Sequence, residues 1–199
     1  MKHAFIILTV GAAILLTTTV VIAGTAEILA SISTQIDNSS NASPEMKTLA
    51  KNKLLPLCTN ELFVKSVKAQ NAKGMTLDEI RKIDETWQAA EDFLPIHEKL
   101  LSNDCAAEIK RIAKKITELT EIFVMDNQGA NVGQNTITSD YWQGDEPKWQ
   151  NSYNDGKGGV EVGKAKLDKS INRIDQKISL PIIDNSGKVI GAICIGVSL

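Results

Sequence analysis

The chain has 199 residues, a hydrophobic content of 43% and a formal net charge of −2. This length and composition are sufficient for one well-buried domain. The slightly acidic balance, without a basic stripe that carries interleaved aromatics, excludes nucleic acid and an anionic membrane surface as the main partner.

The N-terminus has the pattern of an export segment. Residues 1–3 include Lys2, and residues 4–23 form an uncharged apolar run followed by small residues. A signal peptidase could cut after Ala23 or after Ala26. The run also reaches the ~20 residues that can span a bilayer, so an uncleaved anchor remains open. We therefore expect residues 1–26 to be a signal peptide or N-terminal anchor. The rest of the protein is predicted to be periplasmic or otherwise extracytoplasmic, with membrane contact only through this segment.

The next segment, residues 27–43, is rich in Ser, Asn and Thr and is predicted to be a linker. Residues 44–199 are predicted to form a single domain whose first part is helical. Ser43 followed by Pro44 is typical of a helix start. Thr59 and Asn103 are predicted to cap two further helices, and Thr76 with Glu79 forms a capping box.

The helix after Thr76 carries Ile80, Ile83 and Trp87 at helical spacing, which predicts that Trp87 belongs to the core. Asp84 lies beside this stripe and is interpreted as a solvated helix charge. His97 has no evident partner in the sequence and is interpreted as a surface residue.

From residue 120 onward the hydrophobic period changes from helix to strand. Residues 121–125 and 179–183 each end in an Asp-Asn-x-Gly turn, and both turns belong to a longer pattern closed by Gly133 and Gly191. Each pattern predicts a β-hairpin. Residues 160–166 and 171–178 offer a third pairing. The chain is thus predicted to be α+β, with about five antiparallel strands preceded by helices.

The cysteines are consistent with an oxidising compartment. Cys58 and Cys105 both lie in the helical part, and we expect a disulfide between them. Cys194 lies within an apolar strand and is predicted to be a buried free thiol. The only histidines are His3 and His97, so no Cys/His metal-binding spacing exists and no cofactor is expected.

The loop region between the predicted hairpins concentrates the aromatic residues. Residues 138–153 contain both tyrosines and two of the three tryptophans of a chain that is only 5% aromatic. A polar loop with Trp, Tyr and Asp is typical of the wall of a small-molecule pocket. The alternative, that these rings close one end of the core, stays open on composition alone.

Three stretches carry a resemblance to a known family. They are Phe123-Val124-Met125-Asp126-x-x-Gly129, the run Thr-Ser-Asp-Tyr-Trp-Gln-Gly-Asp-Glu at residues 138–146, and Pro181-Ile182-x-Asp184-x-x-Gly187-Lys188-Val189-Ile190-Gly191. Together they make residues 44–199 resemble the extracytoplasmic Cache (PDC, PAS-like) sensor domains of the single-Cache type.

This resemblance implies a five-stranded antiparallel sheet, with a helical bundle or long helix before it and the first strand beside the last. It also implies a ligand pocket under the 138–153 loop, on the sheet face opposite the long helix. The residues that it assigns to ligand binding are Asp140, Tyr141, Trp142, Gln143, Asp145 and Trp149.

The expected function is that of an exported small-molecule-binding sensory domain. Because the sequence ends at Leu199 on the last predicted strand, we expect it to lack its own output module and to signal through a separate sensor kinase, chemoreceptor or transporter. The alternative is an envelope protein-interaction or structural module, with the aromatic loop as core or contact patch. An enzyme is not expected, since no histidine lies near the loop and no nucleophile elbow is present.

Overall fold

The computed structural model describes residues 10–168 and 173–199, and for residues 10–23 and 168 it describes the backbone alone. The helices are α1 (Val10–Asn38), α2 (Pro44–Leu49), α3 (Glu61–Asn71), α4 (Leu77–Gln88), α5 (Pro95–Ser102), α6 (Asp104–Lys115) and α7 (Pro147–Tyr153). The strands are β1 (Leu119–Met125), β2 (Asn131–Gln134), β3 (Glu161–Val162), β4 (Lys166–Asp168), β5 (Arg173–Ile183) and β6 (Val189–Ser198).

The strands form one antiparallel sheet in the order β2-β1-β6-β5-β3, and β4 also pairs with β5. The first strand lies beside the last, with Phe123 opposite Cys194. The α+β class, the single sheet and this adjacency confirm the predicted fold. It is the PAS-like arrangement that the resemblance to Cache domains implied. The turn expected at residues 168–170 falls largely outside the described residues.

The two sheet faces differ because strand side chains alternate. One face carries Ile122, Val124, Ile193 and Ile195, which pack in the main core with α1, α3 and α6. The other face carries a smaller cluster, to which α7 contributes one half-buried ring. The members of that cluster are Phe123, Met125, Ala192, Cys194 and Trp149. Helices therefore cover both faces, and α7 lies on the face opposite α1.

Both predicted hairpin turns are present. Gly129 and Gly187 adopt φ values of 88° and 80°, which L side chains rarely adopt. In the first hairpin the β1–β2 register shifts between Val124 and Met125. A bulge of this kind bends the strand and redirects side chains next to it.

The predicted caps of the helical part are mostly confirmed. The side chains of Ser43 and Asn103 accept hydrogen bonds from backbone N–H groups of the first helical turn, and Thr76 and Glu79 form the reciprocal capping box. The predicted cap at Thr59 is wrong. Asn60 caps α3 instead, because Thr59 still belongs to a 3₁₀ helix that follows a π-helical turn over Ala50–Leu54.

The segment predicted as a linker differs from that expectation up to residue 38. Helix α1 continues to Asn38, and Ile32 and Ile36 on it are fully buried in the main core. The Ser and Thr residues of this segment lie mainly on the exposed side of the helix, which explains the misleading composition. Within the described part of the chain, no helix is at once long enough and apolar enough to cross a membrane.

The predicted Cys58–Cys105 disulfide is not formed. All three cysteines are free and buried. Cys105 packs against Gly133 of β2, whereas the 3₁₀ helix that carries Cys58 contacts β5. Strands β2 and β5 are three strand spacings apart, roughly 14 Å. A disulfide needs Cα atoms within about 7 Å, and the two cysteines pack beside strands that are about twice that far apart.

Candidate functional site

Tyr141 and Trp142 lie at the end of a short extended segment that continues the sheet beyond β2. Trp142 forms a β-bridge with Ala130, and the backbone N–H of Asn131 donates to the carbonyl of Tyr141 at 3.0 Å. Both rings then pack against the helical layer, in a cluster with Ile80 and Trp87 of α4. Helix α4 and the aromatic loop therefore form one packed unit.

Asp84 holds this unit together. Its Oδ1 accepts hydrogen bonds from the backbone N–H groups of Tyr141 at 2.8 Å and Trp142 at 2.9 Å, and its Oδ2 accepts from Gln88 at 2.7 Å. The residue is 8% exposed, so the interpretation of Asp84 as a solvated charge is wrong. A buried carboxylate is tolerated here because three donors satisfy it.

Two further aromatic residues complete the contact between α4, α5 and the loop. The indole Nε1 of Trp87 donates to the carbonyl of Thr138 at 3.0 Å, and the Trp87 ring meets the His97 ring edge to face at 4.1 Å. Trp87 is core, as predicted. His97 is buried, and its Nδ1 accepts the backbone N–H of Leu94, so the prediction of a surface position is wrong.

A cavity of about 500 Å³ lies beside this unit, between helices α3 to α6 and strand β2. Its volume falls within the range of metabolite-binding sites, ~300–1,000 Å³. The apolar part of the wall comes from helices α3, α4 and α5, the turn between α3 and α4, and strand β2, and includes Ala69, Met75, Ile83, Ile96, Leu100 and Val132. The polar part includes Tyr141, Gln70, Asn103 and Asn131.

Two lysines line the cavity, one from the turn after α3 and one from α5. Lys73 follows α3 and Lys99 lies on α5, and both are exposed where they line the opening. Partial burial and then the positive charge of Lys99 lower the pKa of Lys73. Lys73 Nζ donates to Gln70 Oε1 at 2.6 Å, and no ion pair to either lysine occurs among the described residues. The charged part of the cavity wall therefore consists of two ammonium groups and the carboxylate of Asp104.

The inner polar wall is ordered by a chain of contacts. Gln70 Nε2 donates to the Tyr141 hydroxyl at 3.5 Å. Burial and the nearby charge of Asp126 raise the pKa of Tyr141 to about 12, so the phenol stays protonated and can donate to a ligand. Asp126 is itself buried, and burial raises its pKa although backbone N–H groups of Gln128 and Ala130 partly offset this.

Of the six residues that the resemblance assigned to a pocket, Tyr141 lines this cavity. Trp142 packs in the same cluster, with its Nε1 bonded to the carbonyl of Gln128 at 2.7 Å and Arg81 lying 5.0 Å from its ring centroid. Asp145 is exposed. The structure thus brings Tyr141 and Trp142 together and leaves Asp145 on the surface.

Asp140 and Gln143 support the loop from within. The Asp140 carboxylate accepts from the Ser139 hydroxyl at 2.6 Å, and its backbone carbonyl accepts from Asn131, Thr138 and Gln143. Gln143 is fully buried and its Oε1 accepts from Lys148 at 2.8 Å. Both residues therefore have internal partners that fix the loop.

Trp149 lies on the opposite face of the sheet. It belongs to the cluster with Phe123 and Cys194, stacks on Tyr153 at 5.0 Å, and donates from Nε1 to the carbonyl of Asp126 at 3.0 Å. The resemblance to Cache domains had placed Trp142 and Trp149 in one pocket wall. The start of α7 at Pro147 separates them across the sheet.

Sequence reasoning missed most of the residues that line the cavity. Gln70 lies at a half-buried position of α3, Lys73 in the exposed turn after it and Lys99 at an exposed position of α5. Lysine and glutamine are common at helix surfaces for reasons of solubility. The available signal was the Gly74 break after Lys73, where the chain leaves α3 with a φ of 61°. A turn at this place brings the end of α3 next to the start of α4.

No known protein-family model matches the chain, and no curated protein matches it either. The chain is similar in structure to the sensor domain of the histidine kinase DctB of V. cholerae, with 14% identity and a TM-score of 0.41 over 86% of this chain and 56% of that one. A second similar structure is the ligand-binding domain of the Campylobacter jejuni chemoreceptor Tlp3 in complex with 4-methylisoleucine, with 12% identity, a TM-score of 0.38 and coverage of 92% and 60%.

A third is the ligand-binding domain of the Pseudomonas aeruginosa amino acid chemoreceptor PctC in complex with GABA, with 8% identity and a TM-score of 0.37 over 73% of this chain and 60% of that one. The chain spans about three-fifths of the length of these domains. Identities and TM-scores at this level transfer neither a ligand nor an activity. The assignment of the fold rests on the strand order and on the helices that cover both faces.

Proposed function

We propose that this chain is an extracytoplasmic sensory domain that binds a small anionic metabolite in the cavity between α3–α6 and β2. The observation that carries the proposal is a pair of lysines in the cavity wall, Lys73 in the turn after α3 and Lys99 on α5, neither of which has an ion-pair partner among the described residues. The carboxylate of Asp104 also lines the cavity. A bound carboxylate would relieve the repulsion between them. Charge-assisted hydrogen bonds of this kind are about twice as strong as neutral ones.

The rest of the wall suits a ligand with an apolar body. Ile83, Ile96 and Leu100 offer aliphatic contact, while Tyr141 and Gln70 supply hydrogen bonds at the inner end. A few polar groups on an otherwise apolar wall fix the orientation of a ligand and provide specificity. The role that we propose is binding and not catalysis.

The ligand would be sensed through α4 and the aromatic loop. Tyr141 belongs to the aromatic loop and Ile83 to α4, the two elements that the Asp84 hydrogen bonds join. A ligand that contacts both residues therefore touches both elements at once. Ligand binding would favour the conformation in which Asp84 is hydrogen-bonded to the loop. A separate protein would recognise that conformation, so its response would follow the fraction of molecules that adopt it. A sensor kinase, a chemoreceptor or a transporter is the kind of partner that we propose.

A structural role for the loop is supported by the burial of Tyr141, which is 3% exposed, and by the internal partners of Asp140 and Gln143. In that case the loop is core and the module acts by protein contact alone. The two proposals differ in whether the cavity binds anything.

The experiment is a thermal-shift and calorimetric screen of the purified protein with short aliphatic mono- and dicarboxylates, each compared with its neutral amide. We expect at least one carboxylate to stabilise the protein, and its amide to fail. The Lys73→Gln/Lys99→Gln variant should lose at least about tenfold in affinity, which corresponds to 1.4 kcal/mol.

The matched control is Lys65→Gln, an exposed lysine of α3 that does not line the cavity. It should bind as the wild type does. The proposed lysine site would be contradicted if the double variant bound the carboxylate as tightly as the wild type does. It would also be contradicted if the carboxylate and its amide bound equally well. The absence of binding by every carboxylate would favour the structural module.

A further inference from the structure

His97 caps the start of helix α5 with a ring nitrogen that must be unprotonated. Its side chain is buried, and it is the only histidine in the part of the chain that the structure describes. Nδ1 of His97 accepts the backbone N–H of Leu94, the N-cap residue of α5, at 3.1 Å. A bond from the N-cap N–H to the side chain of the third helical residue fixes the first turn of a helix. The start of α5 therefore depends on this acceptor.

The surroundings of the ring fit neutral histidine and not the charged form. Since Nδ1 accepts a hydrogen bond, the proton of the neutral ring lies on Nε2, which has no partner among the described residues. The rings of Trp87 and Phe93 lie against the imidazole, with centroids 4.1 Å and 5.4 Å from its own. A protonated ring carries a donor on both nitrogens, so Nδ1–H would point at the N–H of Leu94. Protonation must therefore break the cap.

No carboxylate is bonded to the ring to compensate for a positive charge. The Asp84 carboxylate of α4 is engaged by the aromatic loop, and the Asp140 carboxylate of that loop accepts from Ser139. Strand β2 has no charged residue. Among the described residues, no charged group of α4, α5, α6 or the connection between α4 and α5 forms a hydrogen bond or an ion pair with His97. The other charged residues of these elements that are nearest to it in the chain are Glu85, Glu91, Asp92, Glu98, Lys99 and Asp104.

Helix α5 forms part of the wall of the cavity that contains Lys73, to which it contributes Ile96, Lys99 and Leu100. The Trp87 ring that packs on His97 belongs to α4, and its Nε1 donates to the carbonyl of Thr138 in the aromatic loop at 3.0 Å. The imidazole thus lies where α4, α5 and the loop meet. Release of the first turn of α5 would move one wall of the cavity away from the others.

We propose that protonation of His97 releases the start of α5 and opens the cavity, so that the site is formed at neutral pH and lost in acid. This inference rests on the proposed function only in naming the site that the switch regulates. A released ring takes up a proton more readily than the packed ring does. The stability that the cap provides is therefore present at neutral pH and is lost as the pH falls.

The experiment compares the wild type with His97→Gln at about pH 8 and about pH 5, the range in which histidine changes its charge. Glutamine at the third helical position can accept the N-cap bond but does not titrate. In urea unfolding, the folding equilibrium constant of the wild type should fall at least about fivefold more than that of the variant between these pH values. Hydrogen exchange locates the change. The amides of Leu100 and Leu101 should lose protection at the lower pH in the wild type alone, while that of Ile193 in β6 should keep it.

A second variant covers the case in which loss of the imidazole destabilises the protein. His97→Phe keeps a ring against Trp87 but has no acceptor, so α5 should be weakly protected at both pH values. The proposal is overturned if the wild type and His97→Gln lose stability equally, if the α5 amides stay protected at the lower pH, or if Ile193 loses protection together with them. These measurements need no ligand, so the switch and the carboxylate site can fail separately.

Discussion

The Asp84 carboxylate accepts the backbone N–H of Tyr141 at 2.8 Å across a sequence separation of 57 residues. The same oxygen also accepts the N–H of the next residue, so one atom fixes the direction in which the chain leaves the edge of the sheet. The position of the Tyr141 ring in the cavity wall is therefore set by a residue of α4.

Replacing Asp84 by alanine should lower the free energy of unfolding by about 1–3 kcal/mol, because two buried N–H groups lose their acceptor. Asp84→Asn should cost less, since an amide oxygen can still accept both bonds. Urea unfolding of the variants measures the effect. Glu85→Ala, the exposed neighbour on α4, serves as the control and should stay within about 0.5 kcal/mol of the wild type.

A result in which Asp84→Ala and Glu85→Ala are equally stable would contradict the role given to the carboxylate. A stable Asp84→Ala protein that still binds a carboxylate normally would contradict the proposed coupling between α4 and the cavity.

The two hairpin turns share a sequence pattern and should respond differently to acid. Burial raises the pKa of Asp184, but hydrogen bonds from Ser186, Lys68 and the backbone of Lys188 outweigh it and bring the pKa to about 2. The ionised Asp184 carboxylate stabilises the folded protein fully when the pH is above the pKa that Asp184 has in the unfolded chain. This stabilisation is lost as the pH falls through about 2, the pKa in the folded protein. For Asp126 burial dominates and the pKa is raised, so protonation at low pH favours the folded state.

We therefore expect Asp184→Asn to destabilise the protein at pH 7 and to differ less from the wild type as the pH falls toward 2. Asp126→Asn should have the smaller effect at pH 7, since the amide removes a buried charge and keeps an acceptor. Denaturant unfolding across this pH range is the measurement. The same loss at pH 7 for both variants would refute the distinction between the two turns.

Gly144 has no space for a side chain. A Cβ would lie 2.4 Å from Trp142 Nε1 and 2.6 Å from the carbonyl oxygen of Gln128, the two atoms that bond each other. Gly144→Ala should break this bond and lower the free energy of unfolding by about 1–3 kcal/mol. Gly163→Ala is the matched control because its Cβ would meet the carbonyl oxygen of Lys177 at an ordinary 3.5 Å. The stability of the two variants is measured by chemical unfolding followed by tryptophan fluorescence. Equal stability of Gly144→Ala and Gly163→Ala would contradict this prediction.

The three cysteines should behave as slow, buried thiols. Burial raises the pKa of Cys58 and Cys105 to about 12 and that of Cys194 to about 11. Because the thiolate is the reactive form, the native protein should react with a disulfide reagent far more slowly than the urea-unfolded protein, in which three thiols should be counted. One thiol in the unfolded, unreduced protein would mean that a disulfide forms after all.

The features that were predicted correctly from the sequence are local or depend on simple alternation. The capping box at Thr76, the helix start at Ser43 and the two hairpins each involve residues within a few positions of one another. The adjacency of β1 and β6 joins the first and last strands of the sheet, and it followed from the resemblance and not from periodicity.

The incorrect assignments depend on distant partners. From the sequence alone, Asp84 was interpreted as a solvated charge, but in the fold the loop at Tyr141 is hydrogen-bonded to it. His97 was interpreted as a surface residue, but in the fold the Trp87 ring packs on it. The burial of Ile32 and Ile36 was hidden by the Ser and Thr residues around them. The pocket wall was assigned from the resemblance to Cache domains, which could not show that α7 carries Trp149 to the other face.

The β-bridge between Trp142 and Ala130 also affects the self-association of the protein. Strand β2 is at the end of the sheet order, and an unpaired strand edge is a template for pairing with another chain. Here the start of that edge already has a partner, because the aromatic loop of the same chain returns to pair with it. A change that releases the loop would expose the edge, so loss of the Asp84 contact would increase self-association as well as lower stability.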